Sequence, residues 1–224
     1  MSTTSPTLEK NKREKTAAER KKQIFDAAIH LFLEKGVANT SMREMAVAVG
    51  MTTGGLYHYV KSKDEIVRMV TRNAIYAHES VKALRKSLGD VSPTKALRVC
   101  TKYWLTVEKT ALEQTVFLDR ERVHMGFDSQ QAYSESVQSL IHFFEDLLND
   151  GIKTGEFEID NVSLVAFNIY MSRIQFATKW WLLKDLFTAE EYAAQQTNSI
   201  LKQILVDRSR INQGGDTTTN HDKL

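Results

Sequence analysis

The sequence predicts an all-α fold, in which a small N-terminal helix-turn-helix unit is joined by a long helix to a larger helical domain. Three observations carry this. Apolar residues return at three- and four-residue steps through most of the chain. Only two prolines occur in 224 residues. Capping signatures recur at Ser41-x-x-Glu44, Ser62-x-x-Glu65 and Thr188-x-x-Glu191, each preceding a periodic stretch. With 42% hydrophobic residues the chain can bury one or two cores. A single cysteine, Cys100, excludes a disulfide within the chain and fits a reducing cytoplasm. No apolar run reaches 18 residues and no signal core opens the chain, so neither membrane spanning nor export is expected.

Residues 1–17 are polar and charged without a sustained period and are expected to form a disordered basic arm. Lys10, Lys12, Arg13 and Lys15, continued by Arg20, Lys21 and Lys22, either follow a nucleic-acid backbone or only solubilise the chain. A first domain is expected over 18–65. Its first helix runs from about Ala18 to Lys35, with Ile24, Ala27, Ala28, Leu31 and Phe32 on one face and Gly36 ending it. Ser41 opens a short second helix with Met42, Met45, Ala46 and Val49 as its buried stripe. Gly50 stops that helix, and Thr52 caps a shorter third one. A long helix from Lys63 to about Leu88 links this domain to a second, expected over 66–208. There, Ser92-Pro93 starts a helix carrying Leu97, Cys100, Tyr103 and Trp104. Further helices follow at about 111–125, 129–153, 161–183 (capped by Asp160) and 188–207. Residues 209–224 read as a disordered tail.

The stretch Ser41–Lys63 holds the chemistry. Gly54 and Gly55 stand in the first turn of the third helix, each costing about 1 kcal/mol against alanine. Two such residues make sense where another surface must approach the backbone closely. Around them stand Thr52, Thr53, Tyr57, His58 and Tyr59, hydrogen-bonding and aromatic groups with few charges. This suits a helix laid in the DNA major groove. Charge placement agrees. Residues 1–63 carry 11 Lys/Arg against 6 Asp/Glu (+5), and the remainder 19 against 22 (−3).

From about Arg20 to Asn73 the sequence resembles the DNA-binding domain of the TetR (tetracycline repressor) family of transcriptional regulators. The resemblance rests on Ala27-Ala28, Leu31-Phe32, Gly36, Thr40, Ala46, Gly50, Gly54, Leu56-Tyr57-His58-Tyr59 and Lys61-Ser62-Lys63-Asp64-Glu65. It implies a ligand-responsive regulator, most often a repressor, that binds a palindromic operator as a dimer. Carried over by position, base-edge contacts fall to Arg43, Thr53, Gly54, Tyr57 and His58. Phosphate contacts fall to Thr40, Ser41, Thr52, Tyr59 and Lys63. Met42 and Gly55 depart from many relatives. The resemblance also implies that the last two helices pair with their copies in a homodimer. Their content agrees, since Phe167, Tyr170, Ile174, Trp180, Trp181, Tyr192, Ile200 and Ile204 occupy more than one face.

The second domain offers an effector site. Arg173 lies on an apolar stripe with Ile169, Phe176, Ala177 and Trp180 and therefore needs a partner. That partner is a ligand anion, or an acid such as Glu108, Glu113 or one from a second subunit. Arg120 and His124 are one turn apart. Tyr103, Trp104, Phe117, Phe143, Phe144 and Phe176 either line a pocket or form core. A hydrophobic effector with an acidic group, such as a fatty acid or acyl-CoA, fits the aromatic residues plus Arg120 and Arg173; a neutral aromatic compound competes. No HExxH, CxxC, GxSxG, P-loop or GxGxxG motif occurs, so no enzyme activity, metal or cofactor is expected. The alternative is a helical ligand carrier or enzyme that does not bind DNA.

Overall fold

The computed structural model describes residues 6–106 and 108–207, with side chains from Ala17 onward. Among them the secondary structure is helical, with no strand. The order is α1 (Pro6–Lys35), α2 (Met42–Ala48), α3 (Thr53–Tyr57), α4 (Lys63–Ser87), α5 (Pro93–Leu105), α6 (Lys109–Glu121), α7 (Phe127–Lys153), α8 (Val162–Thr178), α9 (Trp180–Leu183) and α10 (Ala189–Ile204). A 3-10 turn at Arg122–His124 follows α6. No described helix is long and apolar enough to cross a membrane.

The first helix begins twelve residues before the expected start at Ala18. Pro6 sits where a proline suits a helix start, and the leucine, glutamates, lysines and arginine after it are good helix formers, so periodicity is not needed there. Residues 6–17 of the expected disordered arm are therefore helical; residues 1–5 and the tail from 208 lie outside the described residues.

Contacts divide the chain into two units, and the division differs from the expected boundary at 65–66. One unit holds the chain up to Ile75 together with Lys109–Ser134, and the other holds Tyr76–Glu108 and the chain from Glu135. Helix α6 is the reason. It packs along α1, placing Phe117 against Phe32 with ring centroids 5.6 Å apart. Arg120 Nη1 also donates to the Leu33 carbonyl at 2.8 Å. This explains why α1 buries Phe25 and Ile29 besides the expected Ile24, Ala28 and Phe32. Two neighbours, α2 and α6, cover a wider arc than one stripe. Met45, Ala46, Leu56, Val60, Ile66 and Val70 complete this core.

In the second unit the core gathers Val81, Leu97, Cys100, Trp104, Leu140, Phe144, Leu148, Ile169, Ala193 and Leu201, among others. Helix α5 lies on α10, where Arg98 Nη1 donates to Asn198 Oδ1 at 2.6 Å. An isolated antiparallel bridge between Phe157 and Leu205 fixes the end of α10 to the segment after α7. That segment turns at Gly155, which takes φ +73°. Gly151 makes room for it, since a β-carbon there would overlap the Phe157 ring. The expected 161–183 helix is broken at Lys179, whose φ of −108° and ψ of 15° separate α8 from α9. Its cap is Asn161 rather than Asp160, with the Asn161 side chain accepting from the Leu164 N–H at 2.9 Å.

Three buried side-chain polar atoms in this unit have no hydrogen-bond partner: Thr101 Oγ1, Trp104 Nε1 and Thr197 Oγ1. Each such group costs about 1–3 kcal/mol when left unmade. His78 of α4, 2% exposed, is satisfied by Ser136 Oγ at 2.6 Å from its Nδ1. Burial pushes its imidazole down to about 4, with the Arg173 and Lys82 charges adding to the effect and Ser136 and Glu79 opposing it.

Two stability tests follow from this packing. Gly151→Ala is expected to lower unfolding free energy by about 1–3 kcal/mol through overpacking against Phe157, read as a lower urea midpoint. For His78 the folded pKa lies below the unfolded one, so the unfolded chain takes up the proton first as pH falls. Stability is thus full above about pH 6.5 and declines toward pH 4, by on the order of 3 kcal/mol. Urea titrations across that window are expected to show the decline in the wild type and a flatter profile in His78→Asn.

Candidate nucleic-acid interface

A five-residue helix such as α3 is far below the length at which a helix holds itself, so its neighbours must hold it. Ser41 begins this support as a complete capping box. Its hydroxyl accepts from Glu44 N at 3.2 Å, and Glu44 Oε2 accepts from Ser41 N at 2.8 Å. The other carboxylate oxygen of Glu44 receives the Lys35 ammonium at 2.9 Å. The Lys35 hydrogen bond, then those from Ser41, hold the Glu44 carboxyl down to about 2. After α2, Gly50 takes φ +66° and Met51 N returns to the Ala46 carbonyl at 2.8 Å. Thr52 Oγ1 then accepts from Gly55 N at 3.0 Å. Leu56 is fully buried and draws one side of α3 into the core.

The opposite side of α3 faces outward. Thr52, Gly54, Tyr57 and His58 are exposed, and Thr53, Gly55 and Tyr59 are half-buried. Arg43 and Ser41 on α2 are exposed as well. The face offers hydroxyls, phenols, an imidazole and a guanidinium, and no carboxylate occurs from Thr52 to Tyr59. The two glycines separate in meaning. A β-carbon on Gly55 would come within 3.2 Å of the capping Thr52 Oγ1 and 3.6 Å of Met51 Cε, so packing within the unit already limits that position. A β-carbon on Gly54 would meet nothing within 4 Å. The fold places no steric limit there.

Three expected phosphate ligands are occupied by other duties. The Ser41 hydroxyl is spent within the capping box, where it also donates to Glu44 Oε2 at 2.9 Å. Thr40 is 1% exposed, and its hydroxyl donates to the Gly36 carbonyl at 2.9 Å, pinning the turn between α1 and α2. Lys63 Nζ donates to the carbonyls of Val37 at 2.7 Å and Ala38 at 3.3 Å, tying the start of α4 to the same turn. Neighbours in sequence gave no signal for either bond, because the carbonyls of an irregular turn carry no residue signature. The Ser62-x-x-Glu65 box is half formed. Ser62 Oγ accepts from Glu65 N at 3.2 Å, but the Glu65 carboxylate takes the Lys61 N–H at 2.6 Å instead of that of Ser62.

The sequence profile described as bacterial regulatory proteins, tetR family, matches residues 24–70, which span α2, α3, the end of α1 and the start of α4. The segment 24–70 is a DNA-binding domain of the TetR-family type. The chain is a ligand-responsive transcriptional regulator. Similarity to the family continues beyond the matched region. The chain is 24% identical over 184 residues to the transcriptional repressor KstR2 of Rhodococcus jostii, covering 81% of this chain and 89% of the relative. The fold is shared with AibR in complex with isovaleryl coenzyme A and operator DNA, with TM-score 0.65, 19% identity, and 80% and 97% coverage of this chain and that one. It is also shared with FadR from Bacillus subtilis in complex with stearoyl-CoA, with TM-score 0.58, 18% identity, and 86% and 97% coverage.

The residues expected around an effector fall into two groups. Phe117, Arg120 and His124 belong to the unit that carries α2 and α3. Phe117 and His124 line a cavity of about 110 Å³ there with Val37, Asp64, Arg68 and Glu121, whereas Arg120 is spent on Leu33. Tyr103, Trp104, Phe144, Arg173 and Phe176 belong to the other unit. There Arg173 lies over the Trp104 ring, 4.3 Å from its centroid, and Nη1 donates to the Trp104 carbonyl at 3.3 Å. The ring and that carbonyl thus give Arg173 contacts that the expected acid partners did not include. Trp104 also stacks on Tyr170 at 6.0 Å. Phe144 and Phe176 are fully buried, the latter stacked on Tyr192 at 4.3 Å, while Tyr103 is half exposed.

Because its ammonium closes on two carbonyls, Lys63→Met is expected to act first on stability. The unit carrying α2 and α3 should lose about 1 kcal/mol, measured by hydrogen exchange at Thr40 and Ser41. A loss of duplex affinity with unchanged exchange would instead assign Lys63 to a phosphate.

Proposed function

We propose that the chain acts as a homodimeric repressor that reads a palindromic operator through α2 and α3 and lets go when an acyl-CoA or fatty acid binds. The observation that carries the DNA reading is Gly54, an exposed helical glycine for which the unit's own packing offers no reason. A helix that must lie against a duplex gains from a bare backbone at the point of closest approach. Arg43, Thr53, Tyr57 and His58 surround that point as base-edge candidates, with Arg43 suited to guanine. Thr52 and Tyr59 are the phosphate candidates that would flank it, and Ser41 serves by capping α2. Thr40 and Lys63 serve the interface by fixing the turn before α2.

Dimerisation through the last part of the chain is supported by the apolar groups left outside: Leu164 and Phe167 on α8, and Trp181, Leu182 and Leu186 just after it, are between 44% and 68% exposed. Tyr170, Ile174, Ile200 and Ile204, expected at that interface, are instead buried within the protomer, and the exposed side of α10 is polar. Covering the exposed apolar groups with a second copy would set two α3 helices for half-sites about 34–36 Å apart. The acyl reading draws on the buried aromatic residues beside Arg173 and on the bound molecules of AibR and FadR. A regulator that acts on DNA works in the cytoplasm, and we assign this chain there.

The test uses an operator selected from random duplexes and measured by fluorescence anisotropy. Gly54→Ala is expected to keep or slightly raise the melting temperature, because alanine favours helix by about 1 kcal/mol. The same change should weaken operator binding at least about tenfold, which corresponds to 1.4 kcal/mol. Arg43→Ala should relax preference at one base pair, and stearoyl-CoA or isovaleryl-CoA should release the wild type. Full operator affinity in Gly54→Ala would remove α3 from the duplex.

A further inference from the structure

In the second unit, the polar groups left without partners gather on helices that otherwise form its apolar core. Trp104 is 2% exposed and Thr101, one turn earlier on α5, is 1% exposed. Residues three apart share a helix face. Neither the indole N–H nor the Thr101 hydroxyl has a hydrogen-bond partner, and the same holds for Thr197 on α10. Three other helical threonines behave differently. Thr71, Thr115 and Thr178 each donate to the carbonyl four residues back, at 3.1, 2.8 and 2.8 Å. Thr101 and Thr197 lack that bond.

Trp104 is also the meeting point of the unit's polar and aromatic groups. His78 touches its ring edge-on at 5.4 Å, Tyr170 stacks on it, and the Arg173 guanidinium lies 4.3 Å from its centroid. An indole nitrogen donates and cannot accept, so its partner must bring an acceptor. The positive charge over the ring favours an acceptor oxygen with negative charge or partial charge. Leu97, Cys100, Phe144 and Ile169 belong to the same core and would suit an apolar chain behind such an oxygen.

We propose that Trp104 Nε1 is the donor that receives the acyl carbonyl oxygen of the effector, with Thr101 as a second hydrogen-bonding group on the same face. This rests on the acyl reading of the effector given above. A carbonyl oxygen heading an apolar chain is offered by a coenzyme A thioester and by a free fatty acid. The thioester is the better match, because its neutral oxygen is satisfied by a neutral N–H and asks no ion pair of Arg173.

The test compares isovaleryl-, octanoyl- and stearoyl-CoA on the full chain by calorimetry. The tightest of them is then set against its S-alkyl thioether, which lacks only the carbonyl oxygen, and against the matching free acid. The wild type is expected to prefer thioester over thioether about tenfold, the worth of one hydrogen bond. Trp104→Phe keeps a ring for Tyr170 and Arg173 and removes the donor. It should bind the thioether as the wild type does and lose the preference for the thioester. Since that variant removes volume from a core, a second measurement uses the wild type alone. Among the 15N indole resonances, with Trp180 and Trp181 assigned through their phenylalanine variants, the Trp104 N–H should shift with thioester and stay with thioether. Equal binding of thioester and thioether by the wild type, or an unmoved Trp104 resonance, overturns the assignment while leaving an acyl effector intact. Preference for the free acid that depends on Trp104 supports the donor and moves the source to a carboxylate. Failure of every thioester and acid to bind overturns the acyl reading itself, and this assignment with it.

Discussion

Helix α3 cannot sustain itself, and the first unit is arranged around that constraint. Five residues close too few hydrogen bonds to offset the cost of starting a helix. Leu56 anchors α3 from below, Thr52 caps it, and the Met51–Ala46 bond sets its angle to α2. One layer further out, Thr40 and Lys63 pin the turn that leads into α2, and Lys35 holds Glu44 in the capping box. Most of these contacts end on backbone, so they fix where side chains such as Arg43 and Tyr57 begin while leaving those side chains exposed. Placement within a few tenths of an ångström is what base-edge hydrogen bonds require.

The second unit solves a different problem. Its core is apolar enough to fold, yet it retains Arg173 against Trp104, the neutral His78 on Ser136, and three hydrogen-bonding groups with no partner. Buried polar groups normally find partners because leaving them unmade is costly. The first unit shows no comparable cluster among its described residues.

Much of this was legible in the sequence because the governing interactions are local. The caps at Ser41, Thr52 and Thr188, the stop at Gly50, and the buried stripe of α2 all depend on residues within four positions of one another. The fold class follows from the same rules. What the sequence did not reveal depends on distant partners. Helix α6 joins α1 through Phe117 and Arg120, some 85 positions away, and so moves residues 109–134 into the first unit. The hydroxyl of Thr40 and the ammonium of Lys63 have chemistry suited to phosphate, and only the path of the Gly36–Thr40 turn reveals that carbonyls reach them first. The start of α1 was missed because a highly charged helix shows no apolar period. The break at Lys179 follows a continuous apolar pattern, and we have no physical account of why the helix ends there.

On the duplex reading proposed for α3, Gly54 sets the protein's own durability against its task. Any side chain with better helix propensity would firm up α3 in the isolated protein. Heat selection applied to purified material, with no duplex in the tube, would therefore enrich alanine at this position and return sturdy variants that have become blind to their target.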